Sequence, residues 1–223
     1  MPRDRIEEIL RRRSRQHSHG QRFDQFNRRM YPIMKATLEL PRCTRMSRAS
    51  KAELMRYFPI ATVGALEGYF RALYADLINA GDPYAERAQS FPGVKRLDAI
   101  TSEAKARKVS TGDLIAHQLR HNSFADVCDN LTTLLGADFL SLLRSPPVAA
   151  IGFMGWGRDY FPHVTGQLRR LFDFRHVFCH ELATKVKLTA KQVVELSRCG
   201  VFLAMTTDML MMDFLGTDAS KQR

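Results

Sequence analysis

Cysteine, tryptophan and long apolar runs are all scarce in this chain. Four cysteines, Cys43, Cys128, Cys179 and Cys199, are scattered through 223 residues with no C-x-x-C pair. That spacing argues against a disulfide framework or a cysteine-type zinc site, and a reducing, cytoplasmic setting fits it best. No stretch approaches the roughly 20 apolar residues needed to cross a bilayer. The longest, Val148 to Trp156, contains two glycines and follows Pro146-Pro147, so no membrane partner is expected. The opening Met-Pro-Arg-Asp-Arg has no apolar core, and a secretory signal is not expected. Internal repeats, low-complexity tracts and bounded polar–apolar alternation are also missing, which leaves no requirement for strands. The glycine-rich segment at 152–157 lacks the Gly-Lys-Ser/Thr ending of a phosphate loop.

What is abundant is basic charge, and it is unevenly placed. The chain holds 34 Lys and Arg against 23 Asp and Glu, a formal net charge of +11. Residues 1–50 hold 13 basic and 5 acidic side chains, a net of +8; the remainder hold 21 and 18, a net of +3. Arg11, Arg12 and Arg13, and then Arg28 and Arg29, form the densest runs. Such density attracts polyanions such as RNA, DNA or an acidic membrane face, although the same pattern also serves as a solvated helix face. Few aromatic residues are interleaved there, so a single-strand stacking platform is only weakly indicated.

Apolar residues recur at helical spacing along the whole chain, and the expected fold class is all-α. Ser50-Lys51-Ala52-Glu53, Ser110 to Asp113, Ser123 to Asp126 and Thr189 to Gln192 each read as a capping box opening a helix. The first opens a long helical stretch to about Ala80, with an interruption expected at Pro59 and a stop at Gly81-Asp82-Pro83. Pro32 is expected to kink or divide the helical segment between Arg22 and Leu38. The expected organisation is a basic helical extension over 1–49, a helical domain over 50–215 and a polar tail over 216–223.

The segment from Asp159 to about Val186 is the most informative. At about 100° per residue, Leu168, Leu171, Phe172, Phe178, Cys179 and Leu182 form a broad apolar arc, and Arg175 falls inside it. A guanidinium cannot shed its proton and is costly to bury unpaired. It therefore pairs with a carboxylate, snorkels to the surface, or serves as a cation for an anionic substrate such as a phosphate. Asp173, His176 and His180 share a polar stripe beside the arc. Their spacing is compatible with metal ligation, as is that of His117 and His121, but helical His-x-x-x-His pairs are common by chance and no zincin glutamate follows. Acid–base chemistry is the other use of such histidines, with a nearby arginine holding a phosphate. Arg175 and His180 lie about 140° apart on the helix, so a single helix does not aim both at one atom. A two-fold pairing of identical helices would bring two sets into one groove.

Arg175, the polar His176 beside it and His180 closing an Arg-x4-His motif resemble the HEPN superfamily, the higher-eukaryote and prokaryote nucleotide-binding domains. Ala61 to Ile78 is similar to the first core helix of the ribonuclease-toxin-like branch, and His121 to Asp126 with Leu131 to Phe139 is also similar. The resemblance covers about 50–215 and implies an up-and-down helical bundle that homodimerises to place both motifs in a shared cleft. It further implies a metal-independent RNA endonuclease of toxin–antitoxin or antiviral-defence type that needs no cofactor, or a non-catalytic RNA-binding or dimerising module. On this resemblance Arg175 binds and polarises the phosphate, His180 is the acid–base group, and His176 orients the substrate. Glu67 would be a carboxylate partner for Arg175, and Asp173 a supporting residue. An antitoxin or other regulatory protein is the further partner implied.

Overall fold

The computed structural model describes residues 5–12, 21–94, 106–145, 154–156, 159–181 and 185–221. Among these residues there is no strand, and the architecture is an all-α helical bundle. In chain order the helices are α1 (Arg5–Arg12), α2 (Gln21–Glu39), α3 (Arg48–Asn79), α4 (Tyr84–Ala88), α5 (Thr111–Gln118), α6 (Phe124–Leu135), α7 (Phe139–Arg144), α8 (Tyr160–His180) and α9 (Ala190–Lys221). A 3₁₀ turn over Leu40–Arg42 links α2 to α3. Among the described residues, no helix is long and apolar enough to cross a membrane.

The axis of the bundle is α3, whose 32 residues extend about 48 Å at 1.5 Å per residue. Leu66, Phe70, Leu73, Tyr74 and Leu77 are fully buried along it, because α2, α5, α8 and α9 all pack against it. Two glycines permit the closest approaches. A β-carbon on Gly112 would lie 2.5 Å from the Ala75 carbonyl oxygen, and Gly112 N–H donates to Asn79 Oδ1 at 3.1 Å. Gly200 sets the crossing of α9 over α3, where a β-carbon would meet Thr62 at 3.1 Å.

Three of the expected capping boxes close reciprocally. Ser110 and Asp113 exchange backbone–side-chain bonds at 3.0 Å each, Ser123 and Asp126 do so at 2.9 and 3.0 Å, and Thr189 and Gln192 at 2.9 and 3.2 Å. Each satisfies backbone donors that the first helical turn leaves unpaired. The opposite end of α6 is closed by Gly136 in the left-handed region, φ 64°. There Arg87 of α4 donates to the carbonyls of Leu134 and Leu135 at 3.1 and 2.6 Å.

Several local expectations need correction. The α3 helix starts at Arg48, not at Ser50: Ser47 is the cap, its hydroxyl accepting from Ser50 N–H at 3.0 Å. Glu53, expected to reach back to Ser50, pairs instead with Arg56. Pro59 does not interrupt α3, nor does Pro32 divide α2. A mid-helix proline removes one backbone bond and crowds the preceding turn, at about 3 kcal/mol. At Pro59 that cost is opposed by a small apolar cluster of Leu40, Met55 and Val193, joined by Phe58 and Leu188, which holds the segment before the proline against α9.

The charge-based boundary at residue 49 does not coincide with a break in packing. Ile6, Ile9, Phe26 and Met30 belong to the same buried core as α3 and α9. Arg22 of α2, 2% exposed, forms ion pairs with Asp76 of α3 and, at 3.3 Å, with Asp208 of α9. Tyr69 donates to the same Asp208 oxygen at 3.3 Å. Burial, reinforced by the Asp208 charge, holds the Tyr69 phenol well above its ordinary range, so it stays a donor. At the other end, α9 continues to Lys221, into the segment set apart as a polar tail.

Candidate active site

On α3, residues 64, 67, 68 and 71 are spaced i, i+3, i+4 and i+7 and so share one strip of the helix surface. Around it, α2 packs beside Tyr69 and Asp76, while α8 packs on the other flank beside Glu67. The strip between them is floored by Gly64 and Gly68. A β-carbon on Gly68 would meet nothing within 4 Å. The Arg29 guanidinium of α2 passes within 3.7 Å of where a β-carbon on Gly64 would lie. From α8, Arg175 Nη2 donates to Glu67 Oε1 at 3.1 Å, with 22% and 19% of the two side chains exposed.

The position of Arg175 follows from where α8 leaves the core. Leu168, Leu171 and Phe172 are buried on the face that continues directly into Arg175, whereas Cys179 and His180 are exposed. The arginine thus lies where that face passes from buried to exposed, and a carboxylate on α3 answers its charge. His176 and His180 stand one turn apart on the exposed flank with ring centroids 5.1 Å apart. Asp173 is also exposed. On the opposite flank, Phe174 and Phe178 stack at 5.6 Å, and both are half-buried.

The strip ends at a second polar pair that no sequence motif marks. His121 Nε2 lies 2.6 Å from Arg71 Nη2 and the imidazole is buried, 6% exposed. Burial first, then the Arg71 charge, lowers the His121 pKa to about 4, so the ring is neutral at pH 7 and accepts from the arginine. The i, i+4 spacing of Glu67 and Arg71 is the one local signal; their partners lie 108 and 50 residues away in sequence, which no local pattern reveals.

Arg28 is exposed on α2 near Arg29. The side chains of Arg11 and Arg12, and all of Arg13, lie outside the described residues. Asp173, His176 and His180 do not form a ligand cluster. Among the described residues, the one set of three ligand atoms mutually within 4.8 Å belongs to His163, Glu195 and Cys199. No protein-family model, curated protein or solved structure matches the chain, so its chemistry is read from this geometry.

Proposed function

We propose that the chain is a HEPN-type, metal-independent RNA endonuclease of a toxin or antiviral-defence system. The observation that carries the reading is Arg175, half-buried and anchored by Glu67, at the edge of a glycine-floored strip with His176 and His180 exposed beside it. In the reaction, the RNA 2′-oxygen attacks phosphorus as the 2′-hydroxyl proton is withdrawn. The bond from phosphorus to the 5′-oxygen breaks, and the leaving oxygen takes a proton. The products end in a 2′,3′-cyclic phosphate and a 5′-hydroxyl. Arg175 neutralises the charge growing on the phosphate oxygens, His180 carries the proton, and His176 positions the ribose phosphate. Arg28 and Arg29 capture the polyanion.

A single protomer turns Arg175 toward α3 and His180 toward solvent. The reading therefore includes a homodimer in which the His180 of one copy meets the Arg175 of the other, with the Phe174–Phe178 ladder available to the seam. Purified protein is expected to cut single-stranded RNA in excess chelator, and Arg175→Ala or His180→Ala should lower the rate by about 10² or more with the helical spectrum unchanged. Cleavage that requires a divalent ion, or that survives both substitutions, overturns the mechanism. One observation favours the alternative of a non-catalytic RNA-binding module: Glu67 already neutralises Arg175. In that case RNA binds without being cut, and affinity falls steeply with salt.

A further inference from the structure

The cluster of His163, Glu195 and Cys199 lies outside the strip just described and has no part in that chemistry. His163 stands in the first turn of α8. Glu195 and Cys199, four residues apart, face it from α9. One nitrogen, one carboxylate oxygen and one sulfur lie mutually within 4.8 Å, and His163 Nε2 is 2.7 Å from Glu195 Oε1. The sulfur is fully buried at the base, while the imidazole, 45% exposed, stands at the mouth.

The surroundings orient these donors. Arg198 Nη1 lies 3.6 Å from Glu195 Oε2, which holds one carboxylate oxygen and leaves the other facing His163. The same guanidinium donates to the Met154 carbonyl at 2.7 Å and lies over the Trp156 ring at 5.9 Å. Trp156 meets His163 edge-on at 6.4 Å and packs on Phe202 at 4.8 Å. A ligating carboxylate held through its second oxygen, beside an apolar wall, is the arrangement in which outer partners fix a metal ligand.

We infer that His163, Glu195 and Cys199 form a binding site for a zinc-class divalent ion, clamping the start of α8 to α9. A nitrogen–oxygen–sulfur set suits borderline ions and disfavours magnesium and calcium. Tetrahedral coordination at about 2.0–2.3 Å places donors about 3.3–3.6 Å apart. The His163–Glu195 contact therefore widens by about 0.7 Å, which a side-chain rotation of the exposed His163 supplies. Cys199 binds as the thiolate: the S–H bond breaks, the S–metal bond forms, and the proton leaves to solvent. Three protein donors leave one position toward solvent for water. Twelve residues separate His163 from Arg175, about 18 Å along α8, so the ion holds two helices together and takes no part in RNA chemistry.

Trp156 is the chain's one tryptophan, which makes its fluorescence a local reporter. Titrating the purified full chain with Co²⁺ is expected to give one equivalent bound, a thiolate-to-cobalt charge-transfer band and a change in Trp156 emission, all reversed by Zn²⁺. Cys199→Ser removes the charge-transfer band. His163→Gln, a change at the exposed mouth that leaves the core intact, weakens binding more than about tenfold. His176→Gln combined with His180→Gln leaves the titration unchanged. Absence of binding, a charge-transfer band that survives Cys199→Ser, affinity unaltered by His163→Gln, or loss of binding in the His176/His180 variant would each overturn the assignment.

Discussion

Replacing Arg22 with methionine keeps most of the side chain's packing and removes its charge from a nearly dry site. In the folded protein Arg22 is 2% exposed, Asp208 5% and Asp76 25%. Without the guanidinium, Asp76 can rehydrate, but of this cluster Asp208 keeps only the Tyr69 hydroxyl, at 3.3 Å. Breaking a buried ion pair by removing one member costs about 3–5 kcal/mol, and the exposure of Asp76 places this case near the lower end. For a domain of this length, about 3 kcal/mol corresponds to a fall in melting temperature of about 6–12 °C. Far-UV circular dichroism melts and urea midpoints measure it, with the exposed Arg28→Ala as reference, expected within about 0.5 kcal/mol of the parent. Adding Asp208→Leu should recover more than half of the loss, because no uncompensated charge then stays buried. If Arg22→Met melts together with Arg28→Ala, the ion cluster does not bind α2 to the core and the reasoning fails.

Other perturbations test other parts of the fold. His121 binds its proton at about pH 4 in the folded state, against an ordinary histidine value of 6.5. Its neutral form is therefore favoured by folding: the contribution is complete above pH 6.5 and is lost as pH falls toward 4. That loss amounts to about 3 kcal/mol, and a His121→Gln variant should show a correspondingly shallower decline of urea midpoint over this window. The groups facing the ring are Arg71, Asp126 and His117, and an unchanged slope in the variant would remove His121 as the cause. Gly112→Ala must push against the Ala75 carbonyl at 2.5 Å and should destabilise by about 1–3 kcal/mol. Gly68→Ala meets open space and should stabilise α3 by about 0.5–1 kcal/mol; chemical denaturation distinguishes the two.

Helices and their starts are legible where the signal is local. Capping at Ser110, Ser123 and Thr189 depends on a residue and its third neighbour, and all three close as the residue types require. Pro59 departs from its local signal because a helix-breaking cost of about 3 kcal/mol can be outweighed by packing from Val193 and Leu188, more than a hundred residues away. Charge is informative in sum and misleading in detail. Arg22 belongs to the same basic segment as Arg28 and Arg29, yet it faces inward because Asp76 and Asp208 await it on two other helices. In the candidate site, Arg175 stands out on its own helix as a cation within an apolar arc. The glycine floor, Arg29 and the Arg71–His121 pair require the tertiary arrangement before they become visible.

The position of α3 has a consequence for how a ligand would make itself felt. Glu67 sits near the middle of a helix that six others share as a neighbour, so a molecule gripping the Glu67–Arg175 pair holds the hub and not a rim. Its stabilisation would spread through linked opening of the whole bundle. Amide exchange would slow at the buried α3 turns from Val63 to Ile78 and in the packed parts of α2 and α9 together, with no protected patch confined to the strip.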